Sequence, residues 1–84
     1  MKNEEIISKI NEFLVEEFEV DGATITPEAA LKETLDLDSL DYVDLVVIIE
    51  GNFGIKVKQE DFTGILTFKN LYDYVISKSA KSNT

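Results

Sequence analysis

The sequence predicts an all-α domain, a small four-helix bundle of three main helices and one short helix, with a long loop between helices one and two. Three observations carry this. Apolar residues recur at three- and four-residue steps in three separate segments, the spacing of one helical face. The one extended stretch, Ile55-Lys56-Val57, has no second strand to pair with. A chain of 84 residues also leaves room for only one thin core, because at this size about 60–65 % of the unfolded surface is buried.

The first helix is expected from about Glu4 to Phe18, with Ile6, Ile10, Phe13, Leu14 and Phe18 on one face. Asn3 is a plausible N-cap, Glu4 and Glu5 suit the positive end of the helix dipole, and Asp21-Gly22 ends the element. Residues 19 to about 38 form the long connection. Thr26-Pro27-Glu28 places a capping residue before Pro, so a short helical turn is expected to start there, and Ile25, Ala30, Leu31, Leu35 and Leu37 should pin the loop to the core. The second helix is expected from Ser39 to Phe53, stopping at Gly54. Gln59 to Phe62 can make one short turn. Thr67 caps a last helix from Phe68 to about Lys78, with Leu71, Tyr74 and Val75 inward. One domain over residues 1–78 and a frayed tail over 79–84 complete the organisation.

Composition narrows the chemistry. Apolar residues make up 44 % of the chain, too many for a disordered segment. With no Cys, His or Trp, disulfides, Cys/His metal sites and His-based nucleophile–base pairs are excluded. The start of the chain is acidic and carries no signal-peptide pattern, and no stretch approaches the ~20 apolar residues of a membrane span. A cytoplasmic, soluble protein is expected, acting as a monomer. Seventeen Asp and Glu against eight Lys give a net charge of −9, which argues against nucleic acid and anionic membranes. Partners with basic surfaces are the natural complement. From Glu33 to Ile55 there are six acids (Glu33, Asp36, Asp38, Asp41, Asp44, Glu50) and no Lys, a local patch rather than a mixed surface.

The second helix carries two apolar faces. Tyr42, Leu45, Val46, Ile49 and Phe53 fall in one sector about 100° wide, sufficient for the core. Leu40, Val43 and Val47 lie on the other side, beside Asp41 and Asp44. Either the loop at 19–38 folds over them, or they form a docking face with apolar anchors and a charged rim. At the head of this helix stands Asp36-Leu37-Asp38-Ser39-Leu40. Ser39 or Asp38 can take the N-cap. No His, nearby Lys or Gly-x-Ser-x-Gly elbow activates the Ser39 hydroxyl, so it is better placed to be acted upon than to catalyse. A phosphodiester there would meet free backbone N–H groups and the helix dipole, opposed by Asp38 and Asp41. A calcium loop is ruled out, since a count from Asp36 puts Asp41 where Gly is required and Val47 where Glu is required. No metal site and no catalytic residue is expected.

Asp38-Ser39-Leu40 at the start of that helix, after a long first loop, closely resembles the attachment motif of acyl carrier proteins. The similarity continues through Asp41-Tyr42-Val43-Asp44-Leu45-Val46, Glu50 to Phe53, Ile55-Lys56-Val57 and Leu66-Thr67-Phe68 with Leu71, Tyr74 and Val75. It covers about Ile6 to Ile76. The resemblance implies that Ser39 is esterified with 4′-phosphopantetheine by a phosphopantetheinyl transferase (holo-synthase). The thiol of that arm would carry acyl groups as thioesters, giving a Cys-free chain its thiol chemistry. The same resemblance implies that Asp38, Leu40, Asp41, Val43, Asp44 and Val47 meet partner enzymes, which would be acyl-transferring, condensing or acyl-activating. It makes Leu45, Val46, Ile49 and Phe68 candidates to line an acyl cavity. Two features depart from the family. Asp36 stands where Gly is common, and Gly51 and Asn52 stand where many relatives carry acids. The Asp before Ser39 favours an acyl over a peptidyl carrier. A chain that starts at Met and ends after the last helix reads as a discrete subunit for fatty acid, polyketide or related biosynthesis. The alternatives are an unmodified acidic interaction module with the carrier fold, or a carrier of aminoacyl groups.

Overall fold

The structure is a computed structural model that describes residues 3–82. Helix α1 spans Asn3–Phe18, α2 Leu31–Leu35, α3 Ser39–Phe53 and α4 Phe68–Ser82, with 3-10 turns at Gly22–Thr24 and Gln59–Gly64. Three long helices and one short one make an all-α bundle in which α1 packs against α4. Ala30 and Thr67 form an isolated antiparallel bridge. None of the described helices is long and apolar enough to cross a membrane.

One apolar stripe per helix builds the core. Ile6, Ile10 and Leu14 of α1, Leu31 of α2, Leu45 and Ile49 of α3, and Phe68, Leu71 and Val75 of α4 are all fully buried. Each contributes about 1.5–3 kcal/mol relative to exposure. Tyr72 is buried too, although the helical spacing singled out only its neighbours. Its hydroxyl donates to Asn11 Oδ1 at 2.5 Å, which makes burial of that polar tip tolerable.

The loop between α1 and α3 departs from expectation in two places. Phe18 is the last residue of α1, and Glu19 rather than a glycine takes the left-handed backbone, at φ 54°. Asp21 instead caps the following 3-10 turn, accepting from the Ala23 N–H at 3.0 Å. The Thr26-Pro27 start signal makes only a turn, closed by Ala29 N–H to Thr26 C=O at 3.1 Å, and the helix begins later, at Leu31. The cause is tertiary. The Lys69 N–H donates to Pro27 C=O (3.0 Å), the Phe68 N–H to Ala29 C=O (3.3 Å) and the Leu31 N–H to Leu66 C=O (2.9 Å), so the loop is stitched to the head of α4. Those carbonyls satisfy helix-end donors that would otherwise lack partners. Ile25, Leu31, Leu35 and Leu37 are buried as anticipated, and Ala30 is half-buried.

Helix α3, the second long helix, has the anticipated limits. Gly54 closes it in the left-handed conformation, φ 64°, with its N–H on Glu50 C=O. Thr67 caps α4, its Oγ1 accepting from the Asn70 N–H at 3.2 Å. In return Asn70 Oδ1 accepts from the Thr67 and Leu66 N–H groups. α4 continues to Ser82 rather than stopping near Lys78. Of the expected frayed tail, residues 79–82 are therefore helical, and Asn83 and Thr84 lie outside the described residues.

Candidate functional site

The head of α3 is set by two acids and a left-handed residue. Asp36 ends α2 at φ 54°, ψ 53°, with its N–H and the Leu37 N–H both on Lys32 C=O. This is where the carrier motif commonly has Gly, and Asp is among the few other residues that enter this region at a modest cost. The chain then turns, buries Leu37 and presents Asp38 as the N-cap. Asp38 Oδ1 accepts from the Leu40 N–H at 2.9 Å and the Asp41 N–H at 3.0 Å. Asp41 Oδ2 accepts from the Asp38 N–H at 3.1 Å, closing a reciprocal box.

With Asp38 as cap, Ser39 is the first residue of the helix proper. It is exposed, and its hydroxyl makes no hydrogen bond among the described residues. The expectation of free backbone N–H groups for an anion is corrected. The Leu40 and Asp41 N–H groups are held by the Asp38 carboxylate, and the Tyr42 N–H donates to Asp38 C=O at 3.2 Å. A phosphodiester on Ser39 fits sterically, because nothing covers the oxygen, but the helix start offers it little besides the serine's own N–H.

An open cleft of about 460 Å³ runs past the hydroxyl, lined by Lys32, Leu37, Asp38, Ser39, Tyr42 and Gln59. Sequence reading found no Lys near Ser39. The turn that ends α2 brings Lys32 to the same cleft, a proximity with no local signal. Tyr42 is held in the cleft lining by aromatic packing. Tyr42 lies against Phe62 with ring centroids 5.6 Å apart, Phe62 against Tyr74 at 6.4 Å, and the Tyr74 hydroxyl donates to Asp61 Oδ2 at 2.6 Å.

The outward face of α3 is bare. Leu40 is 74 % exposed, Val47 62 % and Val43 45 %. The loop at 19–38 does not fold over them. Asp44 stands exposed beside them, while Asp41 is half-buried through its cap role. A groove of about 340 Å³ continues this face onto α1, with Glu17, Phe18, Asp41, Asp44, Val47 and Ile48 along it. Glu17 was not singled out in the sequence and Phe18 was read only as part of the α1 core stripe, because both belong to a different helix. Glu50, counted in the acidic patch, serves the fold instead, its Oε2 accepting from the Val57 N–H at 2.9 Å. On the opposite side of α3, Leu45, Ile49 and Phe68 are fully buried and Val46 is half-buried, so the expected acyl-cavity residues are closely packed.

The family described as phosphopantetheine attachment site matches residues 8–75. The acyl carrier protein of Rubrobacter xylanophilus is 40 % identical over 76 residues, 90 % of this chain and 94 % of that one. That of Thermotoga maritima is 41 % identical over 75 residues, 89 % and 93 % of the two chains. The solved acyl carrier protein of Enterococcus faecalis superposes with a TM-score of 0.77 at 27 % identity, over 93 % of this chain and 99 % of that one. An open serine, a capped helix start and family matches spanning the domain agree: the chain belongs to the acyl carrier proteins, carriers rather than enzymes, whose covalent cofactor is phosphopantetheine.

Proposed function

We propose that Ser39 is the phosphopantetheine attachment residue and that the protein carries acyl intermediates to partner enzymes of fatty acid, polyketide or related biosynthesis in the cytoplasm. The observation that carries this reading is the Ser39 hydroxyl itself, exposed and unbonded among the described residues at the head of α3. When bound, the arm supplies a thiol to which acyl groups attach as thioesters.

The chain's own residues hold and present. Asp38 and Asp41 fix the first turn of α3, so the hydroxyl stands on a rigid element rather than on a mobile loop. Attachment forms a Ser39 Oγ–phosphorus bond as the pyrophosphate bond of coenzyme A breaks and the adenosine bisphosphate half leaves. The hydroxyl proton passes to a base on the transferase, as no group among the described residues bonds the hydroxyl. Leu40, Val43 and Val47 supply apolar anchors for the transferase and the acyl-handling enzymes, and Asp38, Asp41 and Asp44 favour basic approach.

Intact mass tests the reading. After incubation with coenzyme A and a broad-specificity phosphopantetheinyl transferase, the wild type gains one phosphopantetheine and Ser39→Ala gains none. A mass gain in Ser39→Ala, or none in the wild type with a competent transferase, overturns it.

A further inference from the structure

A phosphodiester at Ser39 faces an unfavourable start. The Asp38 carboxylate already occupies the Leu40 and Asp41 N–H groups that a helix head would offer an anion, and it adds a negative charge of its own. Asp41 adds another within the same turn. From Glu33 to Ile55 the sequence has no cation.

The cleft at Ser39 supplies what the helix head does not. Lys32 and Gln59 line it together with the serine. Lys32 is exposed and makes no ion pair or side-chain hydrogen bond among the described residues. Gln59 likewise has no side-chain partner there, so its amide N–H groups are available as donors. The two belong to different elements, α2 and the Gln59–Gly64 turn. Both are anchored, the first through buried Leu31 and Leu35 and the second through buried Phe62.

We propose that the Lys32 ammonium, assisted by the Gln59 amide, holds the phosphodiester that joins the arm to Ser39, fixing the root of the arm in this cleft. The inference rests on the Ser39 reading and adds to it a cation supplied by this chain. Lys32 is a positioning residue. It neutralises the phosphate charge that Asp38 and Asp41 oppose, and so restricts the directions in which the arm leaves the protein.

The test uses wild type, Lys32→Gln and Lys32→Arg, each loaded with phosphopantetheine and verified by intact mass. Phosphorus NMR of the loaded proteins is compared with the same proteins unfolded in urea. In the wild type the folded resonance is displaced from the unfolded one, and the displacement shrinks as salt screens the exposed pair. Lys32→Gln loses most of the displacement and its salt dependence, whereas Lys32→Arg retains both. Amide spectra of apo Lys32→Gln should match the wild type outside α2, which separates a lost contact from a lost fold. Equal folded resonances in wild type and Lys32→Gln at low salt, with both proteins fully loaded, overturn the inference and leave the carrier reading intact. Absence of any mass gain in the wild type overturns both.

Discussion

Helices α1 and α3 are of nearly equal length, 16 and 15 residues, and sit in the same small bundle, yet they spend their apolar residues differently. α1 concentrates Ile6, Ile10, Phe13 and Leu14 on one buried stripe and surrounds it with charge. α3 buries only Leu45 and Ile49 fully and places Leu40, Val43 and Val47 in solvent on its other side. A helix whose only task is to close a core has no reason for the second set. The difference separates stability from recognition within one element. The inward residues hold the bundle, and the outward ones are the proposed grip for partners.

The sharpest way to break that comparison is Leu45→Ala. Leu45 has no exposed surface, so truncation removes transfer energy and leaves a cavity, costing about 2–5 kcal/mol in urea or thermal melts. A cost under about 1 kcal/mol would mean that the core around α3 collapses easily around the gap. Asp38→Ala comes next. It strips the acceptor from the Leu40 and Asp41 N–H groups and leaves only the backbone half of the capping box, so a loss of about 1–2 kcal/mol is expected, together with slower modification at Ser39. Full stability in that variant would show that another group takes over the cap.

What was legible in the sequence followed from local signals. Gly54 stops α3 because only a left-handed residue fits there, and Asp38 starts it because its short side chain reaches the backbone of the next turn. Leu40, Val43 and Val47 were readable as a second face from angle alone. What stayed hidden depends on distant partners. The backbone at Pro27 and Ala29 serves α4, so the start signal at Thr26-Pro27 made a turn instead of a helix. Lys32 reaches the Ser39 cleft only after the turn at Asp36 is made, and Tyr72 is buried because Asn11, far away in sequence, meets its hydroxyl.

Tyr74 extends the comparison to the aromatic packing behind Tyr42 of the Ser39 cleft. Burial first, and then the Asp61 carboxylate, push its ionisation up from 10.0 to about 12. A phenol harder to ionise in the folded state contributes stability that is complete below about pH 10 and lost as pH climbs through about 12. Tyr72 is also pushed up by burial, so part of the alkaline slope belongs to it. Tyr74→Phe should cost about 1 kcal/mol at neutral pH through the lost hydrogen bond and should flatten the alkaline fall in melting temperature. An unchanged alkaline slope would assign the whole effect to Tyr72. Asp36→Gly works in the opposite direction. Glycine relieves the φ 54° strain but adds freedom to the unfolded chain, leaving a net gain of about 0.5 kcal/mol in urea melts. A loss would mean that the Asp36 carboxylate does more for the turn than its backbone conformation costs.

The smallest effect on stability is the one that decides the comparison. Val47 is 62 % exposed on α3, one turn from Val43 and within the groove that reaches Glu17 and Phe18. Val47→Ala should shift the melt by no more than about 0.5 kcal/mol, since little of the side chain leaves contact with the protein. The same substitution removes an anchor from the proposed docking face, and a centrally placed anchor costs above about 1 kcal/mol, or roughly fivefold, in kcat/KM of a transferase acting on the apo protein. Stability and partner kinetics should therefore rank Leu45→Ala and Val47→Ala in opposite orders when both are assayed well below their melting temperatures. Should Val47→Ala melt early like Leu45→Ala, the outward face is part of the fold. Should it change neither readout, the exposed valines are ordinary surface and the recognition half of the comparison fails.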